Sequence, residues 1–458
     1  MQKPASDDSV EQILNRFDNA RLSKFHGTIF FSGGGGWMWA AFGTAIIGFI
    51  LPYLKIEWSL ESTELGLIAS CNLLGMLIGS VSAGYLADKI GRKKTLELAI
   101  FIAGFTALIS ALAWSYHSLL FLRIFAGLGL GAILPVASTL VGEYSPAKYR
   151  GLISALLNSF WGLGVTLAAL VGVFIVPGFG WRWALGLGIL AVIFVPITRL
   201  YIPESLRFLI SKGRINEAVD ISSQIKIEQA ISNTPPDVIN TRQKEPLNVL
   251  PLKTVKIGIW DPSLRLRTFS MWTLWFSLNF LFQGIFIWLP SILISKGFDV
   301  ASSFLFVLLI SFSQIPGSVI AALLVDKIGR RYSLVGFFFL FAISSLFFGF
   351  SNSSTMILFW GFFVGMCNGA TWSNAYPYTT ELYPTQIRGM ATGWATGFGR
   401  VGGIIAPFLI GFLIQAGWQS NAIFPIMTVL CIISMTLILA IKAETKGKTL
   451  EEIAKQTG

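Results

Sequence analysis

Charge is scarce in this sequence. Only 12% of its 458 residues are Asp, Glu, Lys or Arg, while 54% are hydrophobic. A soluble chain carries about 25% charge, so a large soluble enzyme and a disordered protein are both excluded. Histidine is almost missing: His26 and His117 are the two, and both fall at the edges of apolar stretches, unsuited to a buried proton relay. The three cysteines, Cys71, Cys367 and Cys431, each sit inside an apolar stretch. They are too scattered for a disulfide framework or a metal cage and read as core packing. No HExxH pair, Cys pair or phosphate-binding Gly-rich loop is present, so no catalytic site, metal, cofactor or ATP site is expected. Acids, at 23, are outnumbered by 34 bases, for a net charge of +11. In a polar chain that balance would suggest nucleic acid. Beside so much apolar surface it marks the basic loops of a membrane protein, with no nucleic-acid partner.

A spanning helix needs about 20 mostly apolar residues. Twelve such stretches are legible, near 28–54, 63–86, 95–114, 118–142, 151–176, 182–202, 268–294, 301–325, 332–351, 355–380, 390–415 and 421–442. The 46 glycines are spread through these stretches, as suits helices packed closely through small residues. The chain thus divides into an N-terminal segment 1–26, a six-helix half 27–202, a polar connector 203–266, a second half 267–442 and a tail 443–458. Loops on one side hold ten bases: Lys89, Arg92, Lys93, Lys94, Lys148, Arg150, Lys327, Arg330, Arg331 and Arg388. The short loops of the other side hold three, Lys55, Arg182 and Lys296. The positive-inside rule then places the first set in the cytoplasm, and an even number of spans places both termini there. No cleavable signal peptide is visible; Val10, Ile13, Leu14 and Phe17 have the spacing of a short surface helix, with a disordered tail as the equal alternative.

The halves repeat. Asp88, Gly91, Arg92 and Lys93 recur as Asp326, Gly329, Arg330 and Arg331, an offset of 238 residues. At the same offset Glu143, Pro146, Arg150 and Gly151 recur as Glu381, Pro384, Arg388 and Gly389, and Gly127 and Gly131 as Gly365 and Gly369. Parallel repeats related by an axis along the membrane normal are a transporter architecture, with substrate held between halves near the midplane. The repeated Asp, Glu and Arg are read as a gating latch, since marking topology alone would call for Lys and Arg but not for acids.

On these residues the chain resembles the major facilitator superfamily. Gly84, Asp88, Gly91, Arg92 and Lys93 follow its loop 2–3 motif, and 322–331 is a second copy with Ala322 in place of the leading Gly. Arg123-x-x-x-Gly127-x-Gly129-x-Gly131, Pro203-Glu204-Ser205 and ETKGKTLEEI (444–453) resemble sugar porters. LPVASTLVGEYSPAKYRG (134–151), TELYPTQIRGMATGWATGFGRVGGIIAP (380–407) and WLPSIL (288–293) are similar to the metabolite–proton symporter branch with niacin-type, aromatic-acid and organic-ion transporters. The resemblance implies an all-α membrane protein of twelve transmembrane helices in two pseudo-symmetric halves, working by alternating access. One departure stands out. Proton-coupled relatives pair an Asp of helix 1 with the Arg of helix 4, here Arg123, yet Ala40 and Gly43 stand where those acids would fall and no acid lies between Gly27 and Leu54. Niacin-like members also carry an acid near Asn158, here an amide. Three alternatives remain open: a facilitator, coupling through another group, or loss of the acid by substitution.

Charges at membrane depth are costly and default to functional candidates. Arg400 lies about 16 Å into its span by the helical rise, and its repeat partner is Gly162, so the repeat does not demand it. A guanidinium there suits a substrate carboxylate; the bland alternative is a contact with a neighbouring helix. Arg123, nearer the outer side, is assigned to structure or gating, with anion contact as the lesser alternative. Asn158, Trp161, Asn279, Gln283, Trp372, Asn374 and Tyr376 complete the candidate substrate contacts, because amides and aromatics suit a flat polar ligand. Each alone is more often helix-packing glue. Trp37 and Trp39 are weaker candidates. The expected function is transport of a small organic anion, nicotinate-like or an aromatic carboxylate, with a sugar or sugar derivative as the alternative. A receptor or a channel fits less well, since no signalling domain or filter segment is present. The expected partners are the substrate, membrane lipid and, as an open question, protons; a monomer in the cell membrane is expected.

Overall fold

The structure, a computed structural model, describes residues 22–146, 149–221, 258–384 and 387–441. The expected surface helix, most of the connector and the tail lie outside those residues, as do the side chains of Arg150 and Asp326. The described residues form helices and no strand. The N half comprises α1 (Lys24–Glu57), α2 (Ser62–Ile90), α3 (Arg92–Ala111), α4 (Tyr116–Tyr144), α5 (Arg150–Phe174) and α6 (Trp181–Tyr201). The C half comprises α7 (Arg265–Ser295), α8 (Val300–Phe312 continuing as Gln314–Ile328), α9 (Arg330–Phe350), α10 (Ser354–Glu381), α11 (Arg388–Gln415) and α12 (Ser420–Ala440). Eleven of the twelve are long and apolar enough to cross a membrane. The other is α10, whose composition is diluted by Asn368, Thr371, Ser373 and Asn374.

Local chemistry sets the ends and the breaks. α4 and α8 start on polar caps: Ser115 Oγ accepts from Ser118 N at 3.2 Å, and Asp299 Oδ2 from Ser302 N at 2.9 Å, taking up amides that a first turn leaves unpaired. Gly91 and Gly329 hold φ of 105° and 89° between α2 and α3 and between α8 and α9, a backbone region that needs glycine. Two spans expected to be regular are interrupted. α6 runs through a 3-10 stretch, Leu187–Ile193, before Pro196. α8 breaks at Ser313, because Pro316 has no N–H to return to the Phe312 carbonyl.

The repeat extends into packing. A Cβ on Gly127 or Gly131 would strike the backbone of Asn72 or Met76 on α2. One on Gly365 or Gly369 would strike Ile310 or Gln314 on α8, which are the offset partners of those residues. Gly79 meets Leu128 and Gly317 meets Met366 in the same way. In hydrocarbon, helix association rests on such van der Waals closeness.

The halves join at the ends away from the charged loops. There Ser70 Oγ donates to Ile404 O at 2.7 Å, Thr63 N donates to Gln415 Oε1 at 3.3 Å, and Phe49 packs on Phe304 at 5.2 Å. Gly48 lies under Ile287 O, and Gly411 under Ser62 O. Toward the charged loops Asn158, Tyr376 and Gly393 are exposed. The space between the halves therefore opens on the charged-loop side.

Candidate functional site

Where the halves begin to part, α1, α5, α7 and α8 enclose a cavity. Thr44, Trp161, Phe282, Gln283, Phe286 and Ser311 are among its walls. Aromatic rings run on from it through α10. Trp161 lies 6.4 Å from Trp37 and 6.1 Å from Phe282; Phe282 lies 6.4 Å from Trp372. Trp275 then meets Trp372 at 5.6 Å and Tyr376 at 4.5 Å, both edge-on. Edge-to-face pairs of this kind keep ring faces available on either side.

Arg400 stands at one end of this aromatic run. Its Nη1 donates to Met76 O across the boundary between halves at 3.2 Å, and Tyr376 lies within its electrostatic reach. No acid pairs with it among the described residues, and the residue is partly buried. One neutral carbonyl cannot saturate a guanidinium with five N–H donors, so the group is left able to take a bidentate anion.

The other expected contacts divide. Trp161 and Gln283 line the cavity, while Trp372, Tyr376 and Arg400 follow from it along the aromatic run. Asn158 lies on the α5 face shared by Gly162, which meets Ile315 at 3.7 Å, and by the cavity wall Val165; it faces the open space one turn toward the charged loops. Asn279 instead donates to Trp275 O of its own helix at 2.9 Å, wedged beside Gly399 and Gly403 of α11. Asn374 is buried and donates to Ser333 Oγ on α9 at 2.8 Å, away from the cavity. Both amides act in helix packing, a correction to their expected contact with substrate. Thr44, Phe282 and Ser311 were not expected; Thr44 Oγ1 reaches Ala40 O at 2.9 Å and lies against Met76 Sδ at 3.4 Å.

The coupling positions are all in the N-half interior. Ala40 is fully buried, and Gly43 has Leu130 Cδ1 2.9 Å from where its Cβ would stand. Arg123 is 1% exposed, and its Nε and Nη2 have no hydrogen-bond partner. Gly127, one turn on, packs on α2, so Arg123 faces its own half rather than the cavity.

The repeated charges form two networks, each within one half. Arg92 pairs with Asp88 at 3.1 Å and lies 3.9 Å from Glu143. Arg330 pairs with Glu381 at 2.9 Å, near the Arg388 end of α11. The N-half network has an extra member that the sequence did not announce. Glu204 Oε1 accepts from Arg92 N at 2.8 Å and Lys93 N at 3.1 Å, capping α3. Ser205 Oγ donates to Glu143, and Tyr144 Oη to Glu204 O at 2.6 Å. Pro203-Glu204-Ser205 thus ties the end of α6 to the charged loop.

Comparison with known proteins agrees with this architecture. Residues 30–456 match the family described as sugar (and other) transporter. The chain is 38% identical to the niacin transporter NiaP of Acinetobacter baylyi, covering 96% of this chain and 99% of that one. It is 34% identical to the putative niacin/nicotinamide transporter NiaP of Bacillus subtilis, covering 91% and 96%. Its fold matches the partially occluded inward open conformation of the xylose transporter XylE from E. coli with a TM-score of 0.73, at 18% identity, over 93% of this chain and 100% of that one.

Proposed function

The chain belongs to the sugar (and other) transporter family of the major facilitator superfamily, and from that footing we propose that it carries a small aromatic carboxylate of the nicotinate kind. It is a multi-pass membrane transporter of a small organic solute. The carboxylate would lie on Arg400, with the ring against Trp161, Phe282 and Trp372 and its edge toward Gln283. The observation that carries this reading is Arg400 itself, a cation at the far end of the aromatic run from the cavity, with one neutral acceptor and, among the described residues, no acid. Charge at that depth costs about 2.5–3.5 kcal/mol on insertion scales, and an anion held bidentately is the partner that offsets it.

Transport proceeds by rocking of the halves, with the charged loops at the cytoplasmic face and both termini on that side of the cell membrane. In that frame the open space faces the cytoplasm. The Asp88–Arg92–Glu143 and Arg330–Glu381 networks brace each half while the gate between them is open; closing it would bring them together. The protein acts as a monomer. Between Gly27 and Leu54 helix 1 has no acid, its Glu57 lying at the last turn, so flux is weakly coupled to protons or uncoupled from them.

Uptake of labelled nicotinate into proteoliposomes tests the reading. Arg400→Ala is expected to reduce uptake by about tenfold or more, and unchanged uptake by a folded variant would refute the carboxylate role. A sugar or sugar derivative is the second reading, favoured by the Pro203-Glu204-Ser205 tie and the family match. Competition by hexoses but not by nicotinate or benzoate would select it.

A further inference from the structure

A second set of polar groups on the C-half side begins at the cavity wall Ser311 and keeps buried polar atoms unpaired. Ser311 lines the cavity and is 1% exposed, yet its Oγ has no hydrogen-bond partner. Gln314, 6% exposed, has a free Nε2, and Asn368, 1% exposed, has both Nδ2 and Oδ1 free. The three converge by helix geometry. Gln314 follows Ser311 by one turn across the break in α8, so the two share a face. The α8 and α10 backbones touch at this level, a Cβ on Gly369 being 2.9 Å from Gln314 Cα. Asn368 precedes Trp372 by one turn on the same face of α10, and Trp372 faces the cavity wall Phe282.

Buried polar groups are almost always paired, and each exception calls for an account. The repeat supplies a control. At the offset positions of the N half stand Leu73, Met76 and Leu130, all buried and apolar. With Gly131 on Met76 as Gly369 is on Gln314, the N-half contact forms with none of these three polar groups, although Asn72, the offset partner of Ile310, is buried there with its own Oδ1 unpaired. Pro316 removes the N–H that would return to the Phe312 carbonyl beside the cluster, and broken helices at midplane depth are where transporters place ligand-binding groups.

We propose that Ser311, Gln314 and Asn368 form a hydrogen-bonding subsite for the uncharged polar end of the ligand, an aromatic ring nitrogen, hydroxyl or amide. The proposal rests on the reading of this cavity as the ligand site and adds what decides among carboxylates. Gln314 Nε2 and Asn368 Nδ2 donate to an acceptor on the ring, Asn368 Oδ1 accepts from a donor, and Ser311 serves either. A ring with no such group leaves all three unpaired.

Equilibrium binding of labelled nicotinate and benzoate to the purified full-length protein in nanodiscs tests this, using the unaltered chain, Asn368→Leu and Gln314→Met. The second variant installs the residue that the N half carries at the equivalent place. Nicotinate is expected to bind the unaltered chain about tenfold more tightly than benzoate. Both variants should hold benzoate within about twofold while the preference falls to about threefold or less. A preference that persists in the variants, an equal loss for both ligands, or no preference at the outset overturns the subsite. If the unaltered chain binds neither carboxylate, the proposed function fails as well, an outcome distinct from the others. Should Asn368→Leu not fold, Gln314→Met decides alone.

Discussion

The two halves share a scaffold and differ in what they bury. Both turn on a left-handed glycine after their second helix, and both lay glycines of the fourth helix on the backbone of the second. Yet at matching buried positions the N half has Leu73, Met76 and Leu130 where the C half has Ser311, Gln314 and Asn368, and the partly buried Arg400 of the C half stands where the N half has Gly162. Where two copies of one architecture need the same residue, packing is the cause. Where one copy keeps a costly polar group that the other dispenses with, the shared packing does not demand that group. Arg123 reverses the pattern: it is the N half's own buried cation, its offset partner Gly361 being uncharged, and it faces its own half.

The shared part should break equally from either side, and with the largest effect. Gly131→Val and Gly369→Val each place a side chain against backbone that cannot swing away, so each should cost about 3 kcal/mol or more, or prevent folding, in thermal unfolding in detergent. A large loss from one and none from the other would break the structural equivalence of the halves.

Removing the two buried arginines should separate them. Arg400→Ala should weaken carboxylate binding by about tenfold or more, whereas Arg123→Met should leave it within about twofold. Because Arg123 has unpaired donors, its replacement by an apolar side chain of similar length is expected to be neutral or to stabilise by about 1–3 kcal/mol. Loss of binding in Arg123→Met would move the anion site into the N half.

Glu204 sharpens a smaller asymmetry. Glu204→Ala should cost about 1–2 kcal/mol through the lost cap of α3, read as faster hydrogen exchange over residues 92–96 with no change around 330–334. Equal acceleration at both places would show that the halves depend on one shared network. The smallest effect concerns protons. An imposed pH gradient should change initial uptake by less than about twofold, because α1 has no acid between Gly27 and Leu54; Ala40→Asp is the variant in which a gradient should begin to matter.

Much of this was legible in the sequence. The spans follow from apolar length, and the offset repeat exposed by Asp88 and Asp326 reached down to individual glycine contacts. Arg400 was legible because a charge at that depth is rare. The facing of side chains was not. Asn279 turns to its own helix and Asn374 to α9 because the rotation of a membrane helix is set by neighbours rather than by an apolar stripe. Glu204 caps a helix more than a hundred positions away in the chain, a contact that no local pattern announces. Gln314 and Asn368 were in reach, had the offset been used to ask where one half is polar and the other is not.

The central claim is that Arg400 reads the negative charge of the ligand. Binding of nicotinate and of its uncharged amide, nicotinamide, to the unaltered protein and to Arg400→Gln isolates that charge, since ring and stacking are common to both ligands. The account predicts that the unaltered protein prefers the acid by about tenfold or more and that Arg400→Gln binds the two alike. An undiminished preference for the acid in folded Arg400→Gln would contradict it.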